Sequence, residues 1–522
     1  MPDLEERLAA AMATGMVPSV WAQEKPDAVA LTDPFGWRSF SELNANANRL
    51  VRVFRAAGLK PGDGVAVLLG NRAEFVETLL ATLRGGFRFT PLNWHLTAEE
   101  IGYILVNCEA RALVAESRFP TTLPATAMAP GLILKVGVGD PVVGFTAWDE
   151  ALADFDSDDI TDPILGTQML YTSGTTGRPK GVYRPTPIPI PPMFAGTPAG
   201  YNPDTDCQLC AGPAYHAAPL AFDIRYSLAS GVPLVFMDRW DSEGVLDNIH
   251  NFRITHAHMV PIMFQRLLAL PPEVKAKYDL SSLRFLVHGA APCPPEVKRG
   301  MIDWLGPILH EYYAGSEGGA GFAIGSEDWL RKPGSVGKRP LLLGVKILDE
   351  EGVELPPGRP GLIYHQASQV SPFSYYKDEA KTAGSYRDGY FTLGDMGYFD
   401  EDDFLFLTGR SAETIISGGV NIYPQEIDNE LIQHPAVEDS CTIGAPDAEW
   451  GEAVKAVIKL REGYAPTDAL AAEILAFGKA RLAAFKVPKS LDFVPDLPRS
   501  AAGKIQRGLV RKPYWEGQAR QI

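Results

Sequence analysis

Short apolar runs alternate with helical patterns through the first 160 residues, and this alternation limits the folds open to the chain. The runs AVALTD and GVAVLLG are typical of strands. The segment between them has a capping-box spacing from Ser39 to Glu42, and its apolar residues recur at helical intervals up to Gly58. The same alternation returns from about Cys210 to Arg339. Repeated strand–helix units predict an α/β fold with mostly parallel sheets flanked by helices.

The character of the sequence changes after about Gly344, where short strand-like runs are broken by Gly, Pro and acidic turns. This predicts a β-rich subdomain over about 340–411. The tail after Arg410 mixes strands with a helical pattern over residues 468–485. We therefore predict a large N-terminal domain over 1–411 and a small, mobile α+β C-terminal domain over 412–522. A length of 522 residues agrees with two domains, since it exceeds what one core usually supports.

Composition excludes several classes of function. The chain has 64 acidic and 48 basic residues, a net charge of −16, which argues against nucleic-acid or anionic-membrane partners. No run approaches the roughly 18 apolar residues of a membrane span. Acids stand at the N-terminus where a signal peptide would have bases, so we expect a cytoplasmic protein. Cys207 and Cys210 form a lone CxxC, which predicts ordinary reduced thiols.

The stretch LYTSGTTGRPKGV, residues 170–182, has the composition of a phosphate-binding loop. Backbone N–H groups of a Gly/Ser/Thr loop can surround an anion, and Lys180 adds a positive charge. It is not a P-loop, because no Gly-Lys-Ser/Thr closes it. The proline-rich stretch RPTPIPIPP, residues 184–192, follows it and cannot form a helix. We expect that stretch to be either a surface loop or a segment that covers the active-site entrance.

With its later motifs, the chain resembles the adenylate-forming superfamily of acyl-CoA synthetases, luciferases and peptide-synthetase adenylation domains. The resemblance covers nearly the whole length. The motifs after the loop are, in order, YHAAP, HGAAP, YYAGSEG, YFTLGD, GRSAETIISGGVNIYPQEID and PRSAAGKIQR. The resemblance implies that the carboxylate of an acid attacks the α-phosphate of ATP, which releases pyrophosphate and forms an acyl-adenylate.

The resemblance also implies roles for single residues in ATP binding and catalysis. Lys504 would stabilise the negative charge that develops between carboxylate and phosphate. Glu317, with Thr172, would hold Mg²⁺, which takes few protein carboxylates. The residues that would surround the β- and γ-phosphates are Thr172, Ser173, Gly174, Thr175, Thr176, Gly177 and Lys180.

Further residues are implied around the rest of ATP and the acid. His216 would stand on the acyl and pyrophosphate side of the site. The implied nucleotide contacts are Tyr313 at the adenine, Ser316 at the α-phosphate, Asp395 with Arg410 at the ribose, and Gly289 with Ala290 of HGAAP.

A second half-reaction needs an acceptor, and CoA is the first candidate. In CoA ligases the small domain rotates about a hinge, and Gly418 and Gly419 would then line a tunnel for the thin pantetheine arm. Trp450, Phe485 and Lys489 resemble CoA contacts, with ordinary packing and surface charge as the alternative.

The chain departs from the family pattern at three positions. Ala412 occupies a hinge position that is usually Asp or Lys, and Val420 replaces a common Glu. Asp223 lies in the wall expected to face the acyl pocket. It could orient a substrate NH or OH group or deprotonate an amine. The alternative is a structural acid paired, for example, with Arg225 or Arg239.

These features predict an ATP-dependent carboxylic acid–CoA ligase. The acid is expected to be a compact aromatic or alicyclic one, with a medium-chain fatty acid still open. Ala412 and Asp223 favour a second hypothesis, an amide bond synthetase that passes the acyl group to a free amine. A non-catalytic nucleotide-binding relative is a third, and Lys504, Glu317 and Asp395 speak against it. Monomer and homodimer both stay open.

Overall fold

The computed structural model describes residues 3–172, 179–341, 343–417, 420–447, 450–500 and 503–516. Within these ranges the strands form two eight-stranded sheets, one six-stranded sheet and one five-stranded sheet. None of the helices in these ranges is both long enough and apolar enough to cross a membrane.

The first eight-stranded sheet is parallel in its centre and antiparallel at both edges. Apolar runs that alternate with helices become its central strands, which is the predicted pattern. In spatial order its strands are Gly318–Gly325, Leu309–Gly315, Phe285–His288, His256–Met259, Gln208–Cys210, Leu234–Phe236, Val29–Asp33 and Gly36–Ser39.

The second eight-stranded sheet is formed by the N-terminal alternation and the strands around the predicted phosphate loop, and it is parallel except at the end beside that loop. In spatial order its strands are Ser374–Tyr375, Lys180–Tyr183, Thr167–Thr172, Arg88–Pro91, Gly64–Leu68, Ala110–Glu116, Leu134–Val138 and Thr146–Ala147. The largest apolar cluster takes Leu31 and Leu234 from the first sheet and Val65 and Val67 from the second. The two sheets therefore share one core.

Helices cover these sheets, and their termini follow the sequence signals. The Ser39–Glu42 capping box is present, and that helix ends at Ala56, just before Gly58 at φ +91°. The α-helices are Leu4–Met12, Val17–Glu24, Phe40–Ala56, Ala73–Arg84, Ala98–Asn107, Thr122–Ala127, Trp148–Ala153, Tyr226–Ala229, Ser242–Phe252, Pro261–Leu268, Pro272–Lys275, Pro295–Leu305, Ser326–Arg331, Glu379–Ser385, Pro424–Leu431, Asp468–Lys479 and Arg507–Trp515. A π-helix spans Pro219–Arg225.

The six-stranded sheet is antiparallel and is the predicted β-rich subdomain. Its path runs Ser335–Lys338, Phe404–Arg410, Tyr390–Phe399, Gly361–Gln366 and Val345–Leu348, and Tyr386–Arg387 pairs beside it. The five-stranded sheet follows in the chain and consists of Val420–Ile422, Ile415–Ser417, Gly451–Leu460, Val437–Asp447 and Ser490–Val494. The predicted boundary between residues 411 and 412 falls in the 3-10 helix Ser411–Glu413 between these two sheets. The α/β fold class is confirmed.

One predicted helix is too long. The pattern over 468–485 predicts a continuous helix, but the helix ends at Lys479. The N–H groups of Arg481 and Leu482 both bond to the carbonyl of Gly478, and a 3-10 helix follows at Ala484–Lys486. The turn places Leu482 in the core of the small domain. Burial of this apolar side chain outweighs the propensity of the Ala-rich run to stay helical.

Candidate active site

The two strands that flank the predicted phosphate loop are paired. Thr172 lies opposite Lys180 in the antiparallel pair Thr167–Thr172 and Lys180–Tyr183, so both predicted ligands stand at the mouth of one hairpin. The Lys180 ammonium lies 5.9 Å from the centre of the Tyr375 ring. The other loop residues predicted to bind phosphate, Ser173, Gly174, Thr175, Thr176 and Gly177, lie outside the described residues.

Glu317 stands close to this hairpin. It lies with Ser316 in the turn that joins the strand Leu309–Gly315 to the edge strand Gly318–Gly325. The Tyr375 hydroxyl donates to Glu317 Oε1 at 2.9 Å. The described ranges contain no group of three or more His, Cys, Asp or Glu side chains able to hold a metal. A lone carboxylate beside a phosphate site fits Mg²⁺, which takes most of its ligands from phosphates and water.

The start of the proline-rich stretch packs against the Glu317 turn. Arg184 donates hydrogen bonds to the backbone carbonyls of Glu317 and Ser371. The Ser371 hydroxyl in turn donates to the carbonyl of Thr186 at 2.9 Å. As predicted, no helix forms in residues 184–192. Arg184 therefore supports the main chain of the predicted Mg²⁺ ligand.

Asp395 and Arg410 form a cross-strand pair. They lie opposite each other in the strands Tyr390–Phe399 and Phe404–Arg410, and Arg410 Nε is 3.1 Å from Asp395 Oδ1. The Tyr313 hydroxyl donates to Asp395 Oδ2 at 2.8 Å. Burial, and next the charge of Asp395, raise the pKa of Tyr313, which keeps this hydroxyl protonated. Only 8% of Tyr313 is exposed, so little of its ring is open to the adenine stacking predicted for it.

Lys504 is carried by a hairpin of the small domain. Arg499 bridges to Ile505, and Ser500 N–H donates to the Lys504 carbonyl at 2.8 Å. By surface area Lys504 is an exposed residue, although much of the protein lies around the end of its side chain. Burial, and next the positive charge of Arg410, lower the pKa of Lys504. The negative charges of Asp395, Glu317 and Glu413 raise the pKa of Lys504 and partly offset this shift. The fold therefore brings the predicted catalytic lysine within electrostatic reach of the predicted ribose and Mg²⁺ ligands.

His216 belongs to the same cleft. Burial, then the charges of Lys504 and His95, lower the pKa of His216 to about 4, so its imidazole is neutral near pH 7. Its Nε2 atom has no hydrogen-bond partner in the part of the chain that the structure describes. A neutral imidazole with a free nitrogen next to Lys504 can accept or donate one hydrogen bond to a ligand.

The HGAAP motif makes a strained turn beside this cleft. Ala290 has φ +65°, a left-handed backbone conformation that residues other than glycine rarely adopt. At Gly289 an added Cβ would lie 2.5 Å from the Tyr312 ring, so only glycine fits there. Gly289 and Ala290 therefore fix the backbone next to Tyr312, as a precise binding site requires.

Asp223 does not have the partners expected for a structural acid. It lies on the π-helix Pro219–Arg225, has no exposed surface, and accepts a hydrogen bond at Oδ1 from Gln208 Nε2 at 2.7 Å. The predicted pairing with Arg225 or Arg239 is wrong. Arg225 donates to Gln168, and Arg239 is exposed, with its guanidinium nearest to Asp238. Asp223 therefore faces the strand of the first sheet that carries Gln208.

The predicted CoA surface is partly described. Gly418 and Gly419 lie outside the described residues. Trp450 is 46% exposed, and the Lys489 ammonium lies 5.2 Å from the centre of its ring. Phe485 is also exposed. At the hinge, the neighbour of Ala412 makes the polar contact: Glu413 Oε2 lies 3.1 Å from Arg507 Nε, in the helix that follows the Lys504 hairpin.

Sequence reasoning missed several polar side chains around the site. Tyr375 belongs to no quoted motif, and Arg184 begins the proline-rich stretch without a role predicted for it. Both become neighbours of Glu317 only through the fold. His258 and Tyr312 lie on one face of the first sheet, beside Asp223. One signal was available for His258: the alternation in THAHM places His256 and His258 on the same side of a strand.

Known proteins are similar to this chain over most of its length. A family model described as AMP-binding enzyme matches residues 19–375, and the AMP-binding enzyme C-terminal domain matches residues 426–504. Feruloyl-CoA synthase from Amycolatopsis sp is 33% identical over 504 residues, 94% of this chain and 97% of the relative. Indoleacetate–CoA ligase from Aromatoleum aromaticum is 31% identical over 94% of this chain and 95% of its own. The amide bond synthetase from Marinactinospora thermotolerans is 26% identical and superposes with a TM-score of 0.81, covering 96% of this chain and 99% of that one.

Proposed function

The chain belongs to the AMP-binding enzyme family, and on this premise we propose that it is an ATP-dependent carboxylic acid–CoA ligase that works through an acyl-adenylate. One observation carries the proposal. Lys504 of the small domain lies within electrostatic reach of Asp395, Glu317 and His216 of the large domain. A cation at that point is what an adenylating site requires, because carboxylate and triphosphate repel each other.

In the first half-reaction a carboxylate oxygen forms a bond to the α-phosphorus of ATP, and the bond from that phosphorus to pyrophosphate breaks. Lys504 would lie against the charge on the oxygens between the reacting groups. Lys180 and Thr172 would hold the departing phosphates at the hairpin mouth. Mg²⁺ would be held by Glu317 and would supply charge neutralisation on the phosphates. Asp395 would accept the ribose hydroxyls.

In the second half-reaction the thiol of CoA attacks the acyl carbon, and AMP leaves. Exposed aromatic rings with lysines next to them, Trp450 with Lys489 and Phe485 with Lys486, support this acceptor. The rings fit the adenine of CoA, and the two lysines, which pair with Asp447 and Glu426, would exchange these carboxylates for CoA phosphates. The names of the relatives, which refer to feruloyl and indoleacetate groups, favour an aromatic acid for this chain.

The second candidate is amide bond synthesis, which the similarity to the amide bond synthetase favours. One of its two sequence supports is weakened. Asp223 has no exposed surface, so its carboxylate does not reach an amine in the cleft. Ala412 remains as the other support.

The test is to incubate the protein with ATP, Mg²⁺ and a panel of aromatic and aliphatic acids, and then to add CoA or an amine. We expect acid-dependent pyrophosphate release followed by an acyl-CoA thioester. Amide without thioester would establish the second candidate instead. No pyrophosphate release with any acid would refute adenylation itself.

A further inference from the structure

A chain of polar side chains runs through the interior of the first sheet behind the candidate acid site. The Tyr201 hydroxyl donates to Gln208 Oε1 at 2.7 Å, which orients the amide, and Gln208 Nε2 donates to Asp223 Oδ1 at 2.7 Å. The other carboxyl oxygen, Asp223 Oδ2, faces His258 Nδ1 at 3.9 Å. His258 Nε2 lies 3.4 Å from the hydroxyl of Tyr312.

The middle of this chain is incomplete. Asp223 Oδ2 and His258 Nδ1 are both buried, and neither has a hydrogen-bond partner in the ranges that the structure describes. Unsatisfied buried polar atoms are costly, and here two of them face each other. A movement of about 1 Å brings the pair into hydrogen-bond range. The Cys210 thiol and the backbone of His258 also face the carboxyl group.

The hydrogen bond from Gln208 to Asp223 determines the direction in which the following side chains donate. Because Asp223 Oδ1 accepts from Gln208, a proton on this carboxyl group belongs on Oδ2, where it points at His258. Burial raises the pKa of Asp223 well above its usual range, and burial lowers the pKa of His258 to about 3. Both shifts favour the uncharged forms, a carboxylic acid that faces a neutral imidazole. The acid donates to Nδ1, and Nε2 then carries the proton that is donated to Tyr312.

The Tyr312 end of this series of side chains lies where the acid substrate is expected. Asp223 and His258 are fully buried, whereas Tyr312 and Phe222 are half-buried, with ring centres 4.7 Å apart. Tyr312 also touches Gly289 of the strained turn. His216, beside Lys504, immediately precedes the helical segment that begins at Ala217 and carries Phe222. An acid whose carboxylate lies near Lys504 would therefore extend along this segment toward Phe222 and Tyr312.

We propose that Tyr312 is a specificity-determining residue, and that its hydroxyl donates a hydrogen bond to an oxygen acceptor at the far end of the acid. His258 and Asp223 are positioning residues. Asp223 orients His258, and His258 donates a hydrogen bond to the Tyr312 oxygen, so that the O–H group of Tyr312 is free to donate to the ligand. This inference rests on the proposed function and narrows it to acids that carry a distal hydroxyl, ether or carbonyl oxygen.

The test compares para-methoxycinnamate, which offers an acceptor oxygen, with para-ethylcinnamate, which has the same length without it. The readout is the ratio of their kcat/KM values for pyrophosphate release in one enzyme preparation. We expect the wild type to favour the methoxy acid by at least about tenfold, since a buried donor left unpaired penalises the ethyl acid. Tyr312→Phe should bring the ratio close to one. Tyr226→Phe removes a hydroxyl near Phe222 that takes no part in this series of hydrogen bonds. This variant should keep the preference for the methoxy acid.

The positioning residues are tested by conservative replacements. Asp223→Asn still offers a donor to His258 and should keep most of the preference for the methoxy acid. In Asp223→Leu and His258→Leu the ratio of the two kcat/KM values should fall close to one. A merely structural role would lower kcat/KM for both acids alike and leave the ratio unchanged. Loss of the ratio in Asp223→Asn would overturn the assigned donor direction.

A ratio near one in the wild type, with clear pyrophosphate release, would overturn this inference and leave the proposed function standing. If neither acid supports release, the wider panel of acids decides the proposed function separately. The ratio of the two dissociation constants, measured by calorimetry with a non-hydrolysable ATP analogue present, then decides the inference on its own. Equal affinities would refute it.

Discussion

At the scale of single residues, Lys504 carries most of the proposed chemistry. Its charge, carried by the small domain, interacts with Asp395, Glu317 and Arg410 of the large domain. We expect Lys504→Ala to lower the rate of pyrophosphate release by at least about 10²–10³-fold, since one preorganised group aimed at developing charge is worth that much. Thioester formation from ready-made acyl-adenylate and CoA should continue. Equal loss of both half-reactions would contradict the role assigned to Lys504.

The charge of Lys504 also predicts a pH dependence. Burial and Arg410 lower its pKa, so the ammonium loses its proton at a lower pH than an ordinary lysine does. Adenylation needs the charged form, and its rate should therefore fall on the alkaline side below the usual lysine range. In Lys504→Arg the residual rate should lack this alkaline fall, because a guanidinium stays charged. The pH profile of pyrophosphate release for both proteins is the measurement, and identical alkaline limbs would count against the assignment.

At the scale of elements, a buried ion pair ties a helix to the edge of the first sheet. Lys298, on helix Pro295–Leu305, lies with its ammonium 2.6 Å from Glu311 Oε2 on strand Leu309–Gly315. Both residues are buried. Burial lowers the pKa of Lys298 and raises that of Glu311. The strand leads directly into the Glu317 turn, so this pair supports the nucleotide site from behind.

Breaking that pair should destabilise the large domain. Lys298→Met leaves a buried carboxyl group without its partner, at a cost of about 3–5 kcal/mol. We expect a clearly lower midpoint of thermal unfolding. The double variant Lys298→Met/Glu311→Leu should recover most of the loss, because two apolar groups replace two charges. Arg299→Met, an exposed position on the same helix, is the control and should change little. Failure of the double variant to recover would mean that the pair does more than neutralise charge.

At the scale of the whole molecule, the two domains meet through the Lys504 hairpin. Gly503 has φ +77°, and a Cβ added there would lie 2.7 Å from Ile262 Cγ2 on helix Pro261–Leu268. The contact is close enough that only glycine lets the hairpin reach the large domain. Helix Pro424–Leu431 of the small domain also packs against strand Phe404–Arg410.

This contact predicts how domain arrangement controls the reaction. Gly503→Val should lower adenylation strongly, because its side chain strains the turn and collides with Ile262. Thioester formation from ready-made acyl-adenylate should be affected much less, since it needs a different face of the small domain. Adding Ile262→Ala should restore part of the adenylation rate by removing the collision. The two half-reactions are measured separately, and an unchanged pyrophosphate rate in Gly503→Val would refute this docking.

Much of the fold could be predicted from the sequence. Strand–helix alternation predicted parallel sheets, and the capping box at Ser39 placed a helix terminus correctly, because both signals are local. The end of the helix after Lys479 was not predicted, since burial of Leu482 decides it. Motif residues such as Asp395 and Lys504 were recognised as candidates, whereas Tyr312 and Tyr375 were not, because they acquire neighbours only through packing.

The sequence by itself determined the family, the order of elements and the set of candidate ligands, because motif order and hydrophobic periodicity are properties of the chain alone. Only the tertiary structure decided that Asp223 faces Gln208 and His258 and not a nearby arginine. The physical reason is that strand neighbours in a parallel sheet come from distant segments, and no local pattern records which buried oxygen will face which nitrogen. The same holds for Lys504, whose charge meets Asp395 only when the two domains dock.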